Sequence, residues 1–242
     1  MGSGVILVAA LVGAVVVVGA CIQGTIGFGL GLVAVPFIAI VQPSLLPGPV
    51  LVAGASLAVL VAVRDRAEFD LHGVRWALLG RVGGNIAGAA LVASMPTSGL
   101  RIACAAVVLA AVGLSISGWR VAPTRVSLLA AGAASGVMGT ATSIGGPPMA
   151  LVYQDSSGRR LRGSLSGFFV VGSLISIATL ASFGELGWPE VLAGAALLPP
   201  TAVGFALSRH IARVVDRGHV RSAVWIASAT SSTVVLAIEL WP

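Results

Sequence analysis

Two long apolar runs in this chain are each interrupted by a glycine- and proline-bearing stretch, and the two stretches echo one another. The first is QGTIGFGLGLVAVPF, from Gln23 to Phe37; the second is SGVMGTATSIGGPPM, from Ser135 to Met149. A shift of 112 positions lays Gly24 on Gly136, Gly27 on Gly139, Pro36 on Pro148 and Gln42 on Gln154. Glycine and proline are poor helix formers. Backbone that leaves a helix at membrane depth must face protein or a water-filled cavity, because lipid cannot satisfy its amides and carbonyls. Matching breaks in the two halves of a chain point to the binding site of a transporter.

Composition decides that the runs are membrane spans. Of 242 residues 57% are hydrophobic and 9% charged, against about 25% charged in soluble domains. Unbroken runs of roughly 15–25 residues imply helices and not an alternating barrel. All fourteen basic residues are arginine. In a soluble protein the net charge of +6 would suggest nucleic acid; here it reads as loops obeying the positive-inside rule. The first run begins almost at Met1 with no basic segment or cleavage site, so it reads as a span and not a removable signal. Cys21 and Cys104 fall within spans without ligand spacing, which suggests neither a disulfide framework nor a metal site. Cys21, close to the first break, either lines a pocket or packs inertly.

In order, the sequence predicts a helix over Gly4–Ile22, the glycine break, and a second helix over Phe28–Val41. A proline-rich turn (Gln42–Pro49) leads to a span ending near Val63, then an exposed loop with Arg64, Asp65, Arg66, Glu68 and Asp70. Spans follow at Leu71–Ser94 and Leu100–Ser117, and the loop Gly118–Arg125 closes the first half. A broken run over Val126–Tyr153, a loop with Arg159, Arg160 and Arg162, and spans at Gly163–Ser182, Pro189–Ser208 and Val220–Leu240 repeat the plan. VGGNIAG (Val82–Gly88) also matches LPPTAVG (Leu198–Gly204), and Leu100–Arg101 matches Val220–Arg221. The expected fold is therefore all-α: one polytopic transmembrane domain over 1–242, with repeats 1–120 and 121–242. Each repeat holds a broken-helix hairpin plus three transmembrane helices.

Arginine placement selects the topology. If each broken run crosses the membrane once, arginine-bearing loops fall on both faces. If each is a hairpin returning to its starting side, the loops at 64–66, 120–125, 159–162 and 209–221 share one face, and Arg101 alone lies near the other. Positive-inside favours the hairpins. Both termini then lie outside and the halves are inverted repeats, the arrangement in which alternating access is built.

Arg81 is the most informative residue. It lies about 15 Å from the nearer interface at helical rise, too deep for easy snorkelling, and an ionisable group there is a functional hypothesis by default. Arg75, nearer a span end, reads as snorkelling. Asn85 shares the face of Arg81, and Gly84 with Gly88 forms a small-xxx-small pair for close helix approach. No acidic residue in the spans sits deep enough to pair with Arg81. The missing charge is either an anionic ligand's, or Arg81 is structural glue tied to broken-helix carbonyls. A helix restarting after a break points free amides and a positive dipole end into the gap. Gly27, Gly29 and Gly31 in the first stretch, and Gly145 and Gly146 in the second, allow close backbone approach. Thr25, Thr140, Thr142 and Ser143 offer hydroxyls, and Gln23 and Asn85 amide protons, to oxyanion oxygens. Back-bonding to helix carbonyls is the alternative for each hydroxyl. The candidate substrate site is thus Gln23, Thr25, Gly27, Gly29, Arg81, Asn85, Thr140, Thr142, Ser143, Gly145 and Gly146.

Enzymatic readings fare worse. AASG (Ala133–Gly136) superficially matches the serine motif of an intramembrane protease, but His72, His210 and His219 fall at loops or span ends, too shallow to act as its base. There is no metal cluster and no phosphate loop. GTIGFGLGLVAVP (Gly24–Pro36) and SGVMGTATSIGGPPMALVYQ (Ser135–Gln154), with the two-module layout and the length, resemble the TauE/SafE family over essentially the full chain. The resemblance implies export of sulfite or a small organosulfonate across the cytoplasmic membrane. The rivals are an importer or channel for another small anion or sulfur compound, and a non-transporting membrane scaffold. No cofactor or metal is expected. The expected partners are a small anion and the bilayer, not nucleic acid, with self-association left open.

Overall fold

The computed structural model describes residues 2–66, 69–117, 121–156, 158–214, 228–230 and 232–239. Glu68, His219, the pair Val220–Arg221 and part of the expected last span lie outside them. The described residues form helices and loops without strands. In order these are α1 (Gly2–Ile26), α2 (Leu30–Val41), a short 3-10 turn (Pro43–Leu45), α3 (Gly48–Arg64), α4 (Leu71–Ser94) and α5 (Thr97–Ile116). The second half holds α6 (Arg125–Thr142), α7 (Gly146–Val152), α8 (Gly158–Ser182), α9 (Trp188–Ala196), α10 (Leu198–Val214) and helical turns at 228–230 and 232–239. Among the described residues, five segments are long and apolar enough to cross a bilayer: α1, α4, α5, α8, and α9 with α10. α2, at 12 residues, spans only about 18 Å of a core about 30 Å thick.

The side chains of α4 invert the pattern of a soluble helix. Leu79, Val82 and Ile86 face outward, while Arg81, Gly84, Asn85 and Gly88 are buried. Apolar residues outside and polar residues inside fit a lipid-facing surface. The buried face lies along α6. There a Cβ added at Gly80, Gly84 or Gly132 would stand 1.9–2.1 Å from a carbonyl oxygen of the opposite helix, so only glycine permits this approach. α1 lies along α10 in the same way, with Gly204 against the Val17 carbonyl, and α3 faces α8.

Both broken runs double back. A Cβ on Gly19 would be 3.1 Å from the Leu30 Cα, although the eleven intervening steps of continuous helix would separate them by about 16 Å. In the second run the Ser135 hydroxyl reaches the Gly145 carbonyl at 2.6 Å. The arginine-bearing loops gather at one end. Arg162 Nε meets Asp65 Oδ2 at 3.0 Å, the Tyr153 hydroxyl donates to Asp70 Oδ2 at 3.1 Å, and Arg125 stacks 5.2 Å from the Trp76 ring. Arg64 Nη1 donates to Ser208 Oγ at 3.0 Å. At the other end Arg101 pairs with Glu239 at 2.6 Å.

Several details differ from the expected layout. α8 begins at Gly158 and takes Arg159, Arg160 and Arg162, expected in a loop, into its first turns. α1 runs to Ile26, four residues past its expected end, because positive φ begins only at Gly27 (108°) and Gly29 (143°). Gly24, still helical, serves close approach: its Cβ would lie 2.5 Å from Ser208 Oγ of α10. The second break begins at Ser143 (φ 60°), 116 positions after Gly27 and not 112. Of the glycines that align at 112, Gly24 and Gly136 mark packing contacts, and Gly27 opens the first break while its counterpart Gly139 lies inside α6. Finally, the expected span Pro189–Ser208 is divided at Leu197. Pro199 and Pro200 carry no N–H, so two backbone bonds are missing there and the helix kinks.

Candidate functional site

The two hairpin tips meet. Phe28, in the first break, packs where a Cβ on Gly146 would come within 2.9 Å of it, and Gly31 lies against the Ser143 carbonyl. Between the tips is a cavity of about 50 Å³, lined by both breaks together with α3, Arg81 of α4, and Phe169 and Ser173 of α8. A water needs about 10–15 Å³ by the same measure, so the space suits a few waters or a compact oxyanion.

Arg81 is 1% exposed. Its Nη1 donates to Ser135 Oγ at 3.1 Å, and its guanidinium carbon lies 4.7 Å from the centre of the Phe168 ring and 5.8 Å from that of Phe169. Nε is buried without a hydrogen-bond partner. Among the described residues no carboxylate pairs with it; the ion pairs of Asp65, Asp70 and Glu239 lie at the two ends of the molecule. Room for the side chain comes from Gly172, where a Cβ would stand 2.6 Å from the guanidinium carbon. A desolvated cation held by a hydroxyl and two aromatic rings still lacks a negative partner.

Gln23, Gly29, Arg81, Ser143, Gly145 and Gly146 line the cavity. Gln23 Oε1 accepts from the Leu30 N–H at 3.1 Å, so Gln23 caps the first amide of α2 across the break. Gly31 and Leu32, in the same helix turn and also lining the cavity, have backbone N–H groups that no side chain caps. The Ser143 hydroxyl donates to the Pro47 carbonyl at 2.7 Å and ties the second tip to the turn before α3.

The remaining candidates stand apart from the cavity. Thr25 and Thr142 back-bond to the Cys21 and Met138 carbonyls at 2.8 and 2.7 Å, the arrangement open to any hydroxyl on a helix. Gly27 packs against the backbone of Arg162. Asn85 and Thr140 form a buried polar knot with Ser176: Thr140 Oγ1 donates to Ser176 Oγ at 2.9 Å. With its amide oxygen accepting from the Ser176 N–H at 3.1 Å, Asn85 donates to Thr140 Oγ1 and to the Arg81 carbonyl, each at 3.2 Å. Asn85 thereby braces the helix turn that carries Arg81.

Sequence reasoning missed Ser135, Phe28, Phe169 and Ser173. Ser135 had a legible signal, standing four residues before Gly139 and so on the same face of α6. The two phenylalanines and Ser173 carry no local mark of function.

A family model described as sulfite exporter TauE/SafE matches residues 2–235. The chain belongs to the TauE/SafE family. Neither a curated protein nor a solved structure matches it. TauE/SafE is a transporter family, which together with five apolar spans makes this a multi-pass membrane protein among transporters of sulfur compounds. The two stretches that carry the TauE/SafE resemblance are those that supply the hairpin tips on either side of the cavity.

Proposed function

We propose that the protein exports a small sulfur oxyanion or organosulfonate, sulfite or a sulfoacetate-like ion, across the cytoplasmic membrane by alternating access. The substrate occupies the cavity between the two hairpin tips, and Arg81 supplies its counter-charge. Residues 1–120 and 121–242 act as inverted repeats: the pairing of α1 with α10, α4 with α6 and α3 with α8 supports that reading. The observation that carries the proposal is a buried guanidinium with an unpartnered Nε, no carboxylate beside it among the described residues, and a cavity lined by two helix breaks. An inside-negative potential favours anion exit by about 2.3 kcal/mol per charge per 100 mV, so export needs no proton coupling to be driven.

Calorimetry on purified protein tests the site, with sulfite, sulfoacetate, taurine, sulfate and chloride as ligands. Saturable binding of sulfite or one sulfonate is expected. Arg81→Gln should weaken it by at least about thirtyfold, the low end of the cost of leaving a buried charge unpaired, while the protein stays folded. Unchanged affinity in Arg81→Gln would make Arg81 structural glue. Binding of chloride alone would turn the reading to a channel or importer for another anion. Transport by reconstituted protein that ignores a clamp of the potential to zero would contradict electrogenic export.

A further inference from the structure

Ser135 belongs to the AASG stretch that superficially matches a protease motif, yet its surroundings are those of a different task. The residue is fully buried. Its hydroxyl accepts from Arg81 Nη1 at 3.1 Å and donates to the Gly145 carbonyl at 2.6 Å. The Gly145 carbonyl borders the second break, where the C-terminal end of α6 gives way to α7. One hydroxyl therefore joins the cation of α4 to the tip of the second hairpin.

The atom that Ser135 engages matters as much as the bond. A guanidinium offers five N–H donors in a planar fork. Nη1 is cis to Cδ, so the parallel pair of donors on the outer edge belongs to Nε and Nη2. That edge is the one suited to two oxygens of a single oxyanion. Ser135 occupies Nη1, and neither Nε nor Nη2 donates to a described residue. Nη2 lies toward Gly139, a cavity-lining glycine whose added Cβ would be 3.2 Å from it. Phe168 and Gly172 pack against the same guanidinium.

We propose that Ser135 is the positioning residue of the anion site. By bridging Nη1 to the Gly145 carbonyl through its hydroxyl, it leaves the Nε–Nη2 edge for substrate oxygens and links their arrival to the geometry of the second break. This rests on the function proposed above and adds a role that no charge argument supplies, since Ser135 is neutral and does not line the cavity.

The test uses full-length protein in detergent, with sulfite as the probe, and reads affinity by calorimetry and melting temperature in parallel. Ser135→Ala is expected to weaken sulfite by about tenfold, the cost of one hydrogen bond to a charged group. Ser135→Thr, which keeps the hydroxyl, should stay within about threefold of wild type. In an Arg81→Lys background, where no planar edge remains to be oriented, the penalty of Ser135→Ala should largely vanish. Should Ser135→Ala fail to fold, Ser135→Cys takes its place, keeping the size but offering only a weak hydrogen-bonding group. Sulfite affinity unchanged in Ser135→Ala but weakened in Arg81→Lys would overturn the role of Ser135 and leave the anion site standing. An equal penalty in both backgrounds would also overturn it, marking a structural serine. No sulfite binding by wild type would remove the anion site and the role of Ser135 with it; full binding by Arg81→Lys would overturn the oriented edge, and the role of Ser135, while leaving a charge-based anion site standing.

Discussion

The two breaks solve one problem by different means. At the first, glycines adopt positive φ, 108° at Gly27 and 143° at Gly29, and the freed groups are satisfied by one amide side chain of the hairpin and by arginines outside it. Gln23 caps the Leu30 amide, Arg64 takes the Gly24 carbonyl, and Arg162 lies 3.5 Å from that of Thr25. Asp65 holds both arginines, each at 3.0 Å. At the second, the turning residue is a serine in the left-handed region, φ 60°, and hydroxyls hold it: Ser135 satisfies the Gly145 carbonyl, and Ser143 ties the tip to the Pro47 carbonyl. The first break is a backbone conformation latched to the arginine-rich face. The second is a hydroxyl-held turn joined to Arg81. Binding energy is therefore expected to act on the second tip, with the first as its anchor.

Glycine replacement at the first break should have the largest effect on folding. An L-residue at the backbone angles of Gly29 is strained by about 1–3 kcal/mol, and its Cβ would stand 2.7 Å from Ile22 Cγ2, adding about 1–3 kcal/mol of overpacking. Gly29→Ala is expected to lose about 2–6 kcal/mol in reversible unfolding from detergent. A loss below about 0.5 kcal/mol would show that the first break does not depend on its backbone, and the contrast between the breaks would fail.

The latch comes next, through Asp65. Burial alone would raise its pKa, but the hydrogen bonds and charges of Arg162 and Arg64 outweigh that and hold it below its ordinary value. A carboxylate whose native pKa is lowered stabilises the fold fully above its unfolded pKa of about 3.9. That contribution is lost as pH falls from there through the native value. Wild type should therefore lose stability on acidification below about pH 4 more steeply than Asp65→Asn. Asp65→Asn itself should cost about 1–3 kcal/mol at neutral pH, since both arginines lose a charged acceptor. Parallel acid profiles for the two proteins would mean that the latch contributes nothing.

Much of this was legible in the sequence. Long apolar runs mark the spans because lipid solvates nothing else, and one-sided arginine placement anticipated the meeting of the helix ends that carry Arg64, Arg125, Arg162 and Ser208 at one end. The depth of Arg81 marked a buried cation before any neighbour was known. Where each break begins was not legible, because a glycine such as Gly24 serves helix approach as readily as it ends a helix. Nor was the separation of Asn85 and Thr140 from the cavity. Helical spacing gives a residue its face, but the partner there, Ser176 of α8, is set by how three helices pack. Ser135 opens the second broken stretch and falls in the rejected protease motif, but it was not among the candidate site residues, since a serine on a helix has too many ordinary uses to stand out.

The smallest expected effect is at Ser143, and its smallness is informative. Ser143→Gly removes a left-handed serine, a relief of about 1–2 kcal/mol, and deletes the hydrogen bond to Pro47, a loss of about 0.5–1.5 kcal/mol. The added freedom of glycine in the unfolded chain offsets a further few tenths. Stability should stay within about 1 kcal/mol of wild type, and sulfite affinity within about threefold, because Arg81, Ser135 and the Gly145 carbonyl remain in place. A loss as large as that of Gly29→Ala would show that both breaks depend equally on a single residue's conformation. A small change in stability with a large loss of affinity would instead move Ser143 from the hinge of the second tip into direct contact with the anion.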